Sequence, residues 1–114
     1  MQIKTLDKSR MQPAHEGTIF AQGGFGGKEI RAPFGTAWGH LKPGMQQKPE
    51  RAGDSKLYFI VEGQAEMTIE DEMSPLKQGD LLHIPAGSMY SIKNPGPDDL
   101  VTFAIWWKPT EDNL

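Results

Sequence analysis

Turn sequences rich in glycine and proline divide residues 35–107 into short segments, and this spacing constrains the fold more than any other feature. The turns lie at 42–44 (KPG), 62–63 (EG), 77–80 (KQGD), 85–87 (PAG) and 95–99 (PGPDD). None of the segments between them keeps the 3.6-residue apolar period of an amphipathic helix over three turns. The pattern therefore predicts an all-β fold of short strands joined by tight turns.

Six predicted strands cover residues 35–41, 56–61, 64–70, 81–84, 89–94 and 100–107, and residues 2–6 form a possible seventh. The third of these alternates cleanly, so that Ala65, Met67 and Ile69 are predicted to face the core. Together with residues 56–61 it predicts a hairpin with one buried face. Short strands at this spacing are typical of a sandwich or a small barrel.

Length and composition exclude several classes of function. A chain of 114 residues is expected to form one domain around one core. The net charge of −3 provides no basic surface for nucleic acid or for an anionic membrane. The absence of cysteine excludes disulfides, thiolate zinc sites and cysteine nucleophiles, and together with an N-terminus that lacks an apolar signal segment it predicts a cytoplasmic location. The GGFGG segment at 23–27 is interpreted as a turn between strands, because no helical period follows it.

The spacing of the turn residues resembles the cupin superfamily over residues 35–107. The first cupin motif has the spacing of Gly44, residues 50, 52 and 56, and Gly63. The second motif has the spacing of Gly79, Pro85, Gly87, residue 90 and Asn94. The resemblance implies a single small cupin-type β-barrel, also called a jelly roll or double-stranded β-helix. It implies three parts: an N-terminal extension at 1–34 that packs on its own barrel or is exchanged with a partner subunit, the barrel at 35–107, and a tail at 108–114.

The positions that hold metal ligands in cupins are all substituted in this chain. Glu50 and Ala52 stand at the two histidine positions, Lys56 at the carboxylate position and Tyr90 at the third histidine position. Alanine has no donor atom, and a lysine ammonium repels a divalent cation. We therefore expect no metal and no other cofactor. A rebuilt metal site formed by His40, Glu50 and His83 is an alternative, because both histidines lie on predicted barrel strands.

If the barrel geometry holds, Glu50, Lys56 and Tyr90 point toward one cavity. One hypothesis is a structural cluster in which Glu50 and Lys56 form an ion pair and Tyr90 donates a hydrogen bond to the carboxylate. The other is a site that binds a small organic molecule; its expected ligand-binding residues are Trp38, His40, Glu50, Lys56, Tyr90 and His83.

Catalysis is a further possibility at the same residues. The resemblance to metal-free sugar epimerases suggests an isomerase, epimerase or lyase acting on a sugar or polar carbonyl compound. The candidates are Lys56 and Glu50 for proton transfer, Tyr90 as hydrogen-bond donor and His40 as auxiliary base. A dimerisation or ligand-sensing module is the remaining alternative.

Adjacent tryptophans at 106 and 107 must face opposite sides of their strand. We expect one to pack inside the barrel and the other to lie on the outer face of the sheet, where an exposed tryptophan is typical of a subunit interface. The chain is therefore expected to form a homodimer.

Overall fold

The structure, a computed structural model, describes residues 1–109 and consists almost entirely of antiparallel β-strands. It has ten strands, in chain order β1 (Gln12–Ala14), β2 (Ile19–Gly23), β3 (Phe34–Leu41), β4 (Glu50–Arg51), β5 (Ser55–Glu62), β6 (Gln64–Ile69), β7 (Glu72–Lys77), β8 (Leu81–Ile84), β9 (Met89–Lys93) and β10 (Leu100–Trp107). A 3₁₀ turn (Lys8–Arg10) precedes β1, and one turn of helix α1 (Gly27–Ile30) lies between β2 and β3. The predicted all-β fold is confirmed.

The strands form two sheets that pack face to face. The larger has the order β1-β2-β3-β10-β5-β8, and the smaller has the order β4-β9-β6-β7. The core between them contains Tyr58, Ile60, Met67, Tyr90 and Ile92, all nearly inaccessible to solvent. Since side chains alternate along each strand, every strand of the larger sheet presents one row to this core and one row to the outside.

The predicted strands 35–41, 56–61, 64–70, 81–84, 89–94 and 100–107 correspond closely to β3, β5, β6, β8, β9 and β10. The turn between β5 and β6 needs Gly63, which has φ 87°, and a side chain there would collide with the carbonyl of Asp99. Strand β7 has no counterpart among the predicted strands, because a proline such as Pro75 is unusual within a strand. Its place at the edge of the smaller sheet tolerates a residue that has no backbone donor.

The N-terminal segment differs from expectation in detail. The possible strand at 2–6 does not form, and instead the β1–β2 hairpin extends the larger sheet beside β3 of the same chain. The GGFGG turn leads into helix α1, and it runs so close to β3 that a side chain at Gly26 would lie 2.5 Å from the Phe34 carbonyl oxygen. Of the predicted tail at 108–114, residues 110–114 lie outside the described part. No helix within residues 1–109 is long and apolar enough to cross a membrane.

Candidate functional site

A cavity of about 260 Å³ lies against the inner face of the larger sheet, beneath the β1–β2 turn. Most of its wall is apolar or small, and a few polar side chains interrupt that wall. The apolar part includes Ile19, Ala21, Ala37, Ala104 and Trp106, and the polar part includes His15, Lys56, Tyr58 and Thr102. A concave, mostly apolar space with a few convergent polar groups is the usual form of a small-molecule site.

Glu50 and Tyr90 do not line this cavity themselves, but the Glu50 carboxylate contacts His15, which does. One carboxylate oxygen lies 2.6 Å from Nδ1 of His15, and the other accepts a hydrogen bond from the Tyr90 hydroxyl at 3.3 Å. Tyr90 can reach it because strands β4 and β9 pair Glu50 directly with Tyr90. Both carboxylate oxygens therefore have partners inside the protein.

His15 reaches Glu50 from an unusual turn. His15 and Glu16 both have left-handed backbone conformations, with φ 48° and 58°, and Gly17 follows with φ 80°. Left-handed conformations are costly for residues with a side chain, and they often occur at functional sites. The Thr18 hydroxyl accepts a hydrogen bond from the Lys48 amide and donates one to the His15 carbonyl, which fixes the turn against the loop before β4.

The pairing through Nδ1 determines what His15 offers to the cavity. When the imidazole is neutral and Nδ1–H donates to Glu50, the lone pair resides on Nε2. A histidine that is oriented by a carboxylate and lines a cavity is a typical general base. The role of His15 could not be predicted from the sequence, because 35 positions separate it from Glu50 and no local motif marks it.

Lys56 lies on β5 with its side chain half-buried beside the cavity. Its Nζ is 5.3 Å from the centre of the Trp106 ring and 5.8 Å from that of the Tyr90 ring. Burial lowers the pKa of Lys56, although the charges of Glu50 and Asp54 partly oppose that effect. Among the described residues no carboxylate lies within ion-pair distance of Nζ. The expected Glu50–Lys56 ion pair is therefore wrong, because Glu50 is engaged by His15 and Tyr90.

Two tyrosines lie beside Glu50, and one of them, Tyr58, also lines the cavity. The rings of Tyr58 and Tyr90 meet edge to face with centres 6.2 Å apart. Burial raises the pKa of both hydroxyls, so both remain neutral hydrogen-bonding groups. Next to Tyr90, the side-chain amide of Gln47 is fully buried, and among the described residues neither of its polar atoms has a partner in good hydrogen-bond geometry.

The structure brings Glu50, Lys56 and Tyr90 together, but it places the other predicted site residues on the outer face of the larger sheet. Nε2 of His40 lies 3.1 Å from the Asp99 carboxylate. His83 is within 2.7 Å of the Ser55 hydroxyl and is stacked on Trp107. The expectation that His40 and His83 line the cavity is therefore wrong.

Trp38 also points outward. It is one of the residues that border the cavity, but its ring packs on Phe103 with centres 5.5 Å apart. The strand alternation explains this: on β3 the small residues Gly35, Ala37 and Gly39 face inward, and the even-numbered residues face outward.

The residues present do not fit the metal of the cupin superfamily. Of the four equivalent positions, Ala52 has no donor, Lys56 carries a cation, and a neutral Tyr90 phenol is a poor ligand. His15 adds one imidazole, but its Nδ1 already faces Glu50. Within residues 1–109 no three histidine or carboxylate side chains are placed to hold a metal ion, so the alternative site of His40, Glu50 and His83 is not assembled.

Comparison with known proteins agrees with the architecture. The chain is similar in structure to a Cupin 2 conserved barrel domain protein of Salinispora arenicola CNS-205, with a TM-score of 0.84 and 24% identity over 95% of this chain and 89% of the other. It is also similar to the plu4264 protein of Photorhabdus luminescens, with a TM-score of 0.80 and 27% identity over 93% and 87% of the two chains.

One curated relative, the 5-nitrosalicylic acid 1,2-dioxygenase of a Bradyrhizobium species, is 32% identical over 65 residues, or 57% of this chain. The matched region is 31% of that relative, so the two share about a third of its length. A family model described as the cupin domain matches residues 37–106, which is more than half of the chain. Together with the two sheets described above, this match shows that the chain belongs to the cupin family.

Proposed function

We propose that this cupin barrel binds a small organic molecule in the cavity beneath the β1–β2 turn and does so without a metal. The observation that carries the proposal is the composition of the cavity wall: it is mostly apolar, and its polar groups are an imidazole, an amine and a phenol rather than a set of metal ligands. A cavity of about 150 Å³ can hold benzene, so about 260 Å³ suits one ring with a few substituents. The curated relative is named for 5-nitrosalicylic acid, a compound of that size.

Fragment binding followed by NMR tests the proposal. Small ring compounds are expected to shift the methyl signals of Ala37 and Ala104, which line the cavity. Ala37→Leu should fill part of the cavity and weaken binding, whereas Ala86→Leu, at an exposed turn, should leave it unchanged. Fragments that shift only signals of the outer face would contradict the proposal.

A second candidate function is metal-independent proton transfer, as expected for an isomerase, epimerase or lyase acting on a sugar or a polar carbonyl compound. The observation that favours it is the 2.6 Å contact between His15 and Glu50, which leaves Nε2 of His15 available to the cavity. In this reaction Nε2 removes a proton from the carbon next to a carbonyl group, and the electron pair moves onto the carbonyl oxygen. The Lys56 ammonium then stabilises that oxygen, and the proton returns from the imidazolium to carbon.

Exchange of carbon-bound hydrogen in deuterated water tests this second candidate. The wild type should catalyse exchange in a substrate of this class, His15→Asn should abolish it, and Glu50→Gln should reduce it by about 10²-fold or more. Ligand binding without exchange in any of the sugars and carbonyl compounds tried would favour the binding function alone.

The chain's partner is proposed to be a second copy of itself, docked through the outer face of the larger sheet. This face carries the Trp38–Phe103 pair, Trp107, and the exposed side chains of Phe59 (40% exposed) and Leu81 (64% exposed). Three strands roughly 25 Å long (β3, β5 and β10) and two shorter ones (β2 and β8), about 4.8 Å apart, present on the order of 500 Å² in projection. This is the same order as the ~800 Å² that each partner buries in a standard interface. A dimerisation or ligand-sensing role would use the same face.

Light scattering tests this partner. We expect a mass of twice the 12.7 kDa of one chain at micromolar concentration, and a single-chain mass for Leu81→Lys. Met73→Lys changes an exposed apolar residue of the smaller sheet and serves as the control that should stay dimeric. A wild-type mass of one chain would refute the dimer.

A further inference from the structure

Within residues 1–109, Lys56 is a cation without a counter-ion at the edge of the cavity. Two carboxylates, Glu50 and Asp54, act on its charge, but neither lies within ion-pair distance, and Glu50 uses one oxygen for His15 and the other for Tyr90. No described residue forms an ion pair or a hydrogen bond with the ammonium group. A half-buried charge that lacks a partner is unfavourable, and an anion that enters the cavity would supply that partner.

We propose that the ligand of this cavity is a small organic anion and that Lys56 is the residue that selects its charge. This inference rests on the proposed binding function and adds the chemical class of the ligand to it. Burial lowers the pKa of Lys56, as expected for an ammonium group that has lost part of its hydration and has no direct contact with a carboxylate of the described residues.

The cavity walls define the rest of the ligand. Apart from Lys56 and His15 the lining is uncharged, and Trp106 and Ala104 provide apolar contact beside the ammonium. The Trp106 ring has room in this position only because residue 35 is glycine: a side chain there would lie 2.5 Å from the ring. The anionic oxygen would therefore lie at Lys56 and a compact apolar body would lie against Trp106. The volume suits on the order of ten non-hydrogen atoms, which a one-ring carboxylate satisfies.

Benzoate and benzamide are matched probes, because they share size and shape and differ in charge. We expect the wild type to bind benzoate at least about tenfold more tightly than benzamide, the effect of one charge-assisted hydrogen bond. In Lys56→Met, and in Lys56→Gln as a second neutral variant, this preference should disappear. Lys93→Met removes an exposed lysine of the smaller sheet and should keep the preference.

Methyl signals of Ala37 and Ala104 separate the possible failures. If both probes shift them and bind equally, the anion inference is wrong and the binding function stands. If the benzoate preference persists in both Lys56 variants, Lys56 does not select the charge and the inference is also wrong. If neither probe shifts these signals at millimolar concentration, the proposed function and the inference fail together.

Discussion

The pairing of His15 with Glu50 organises the polar wall of the cavity, and a double-mutant cycle can measure its strength. The perturbations are His15→Asn, Glu50→Gln and the two combined. Asparagine tolerates the left-handed backbone of residue 15, so the substitution removes the imidazole without adding backbone strain. The cycle then isolates the side-chain interaction from the conformation of the turn.

The structure sets the expected magnitude. A hydrogen bond of 2.6 Å to a charged group is worth about 1.5–3 kcal/mol when it is shielded from water. The His15 side chain is 28% exposed and that of Glu50 is 40% exposed, so solvent screening reduces this value. We expect a coupling free energy of about 1 kcal/mol.

Urea unfolding at neutral pH measures the coupling. With an m-value of about 1–2 kcal/mol/M, 1 kcal/mol corresponds to a midpoint shift of roughly 0.5–1 M. The Glu16–Lys48 pair of the same turn is the matched control: its contact is 2.7 Å, but its side chains are 72% and 54% exposed, so its coupling should not exceed about 0.3 kcal/mol. Additive effects of His15→Asn and Glu50→Gln, or equal coupling in the two cycles, would mean that the His15–Glu50 contact adds no stability beyond that of a solvent-exposed ion pair.

Three further predictions concern stability. His15→Gly should leave the protein about 1 kcal/mol more stable than His15→Ala, because only glycine adopts φ 48° without cost, and equal unfolding midpoints would argue against strain in the turn. Gly35→Ala should lower the free energy of unfolding by about 1–3 kcal/mol and change the fluorescence of Trp106, because the new methyl group would press against that ring. An unchanged spectrum and an unchanged unfolding midpoint would contradict this packing. Lys56→Met should raise the free energy of unfolding by on the order of 1 kcal/mol at neutral pH, because the unfolded chain binds that proton more tightly than the folded protein does. This gain should be complete below the lowered pKa of Lys56, should shrink as the pH rises through it, and should vanish above the ordinary value of 10.5. A gain that is constant over this range, or a loss of stability, would be the opposite outcome.

Most of the fold could be predicted because its signals are local. Turn residues such as Gly63 and Pro85 mark where strands end, and alternation in 64–70 identified the buried row of β6. Strands at or next to the sheet edges escaped this reasoning: β7 contains Pro75, and the strands of the β1–β2 hairpin are short, so they lack the composition of a central strand.

The site could be predicted only where the cupin motif spacing indicates that a side chain points into the barrel. Glu50, Lys56 and Tyr90 could be named in this way. His15 could not, because a turn that continues the sheet beyond β3 carries it to Glu50. The outward direction of His40 could have been predicted from the sequence. Small residues alternate with His40 along β3, and the inward row has to be small because Ile19 and Trp106 pack against it.

We propose that this cupin works without a metal, because an acid–imidazole pair and a lysine with no ion-pair partner within residues 1–109 occupy the region where metal ligands are expected. Elemental analysis of protein purified without chelator is the decisive measurement. We expect far less than one equivalent of iron, manganese, nickel or zinc per chain, with the same background in Lys56→Met. Close to one equivalent of any of these metals in the wild type would show that the barrel binds a metal after all.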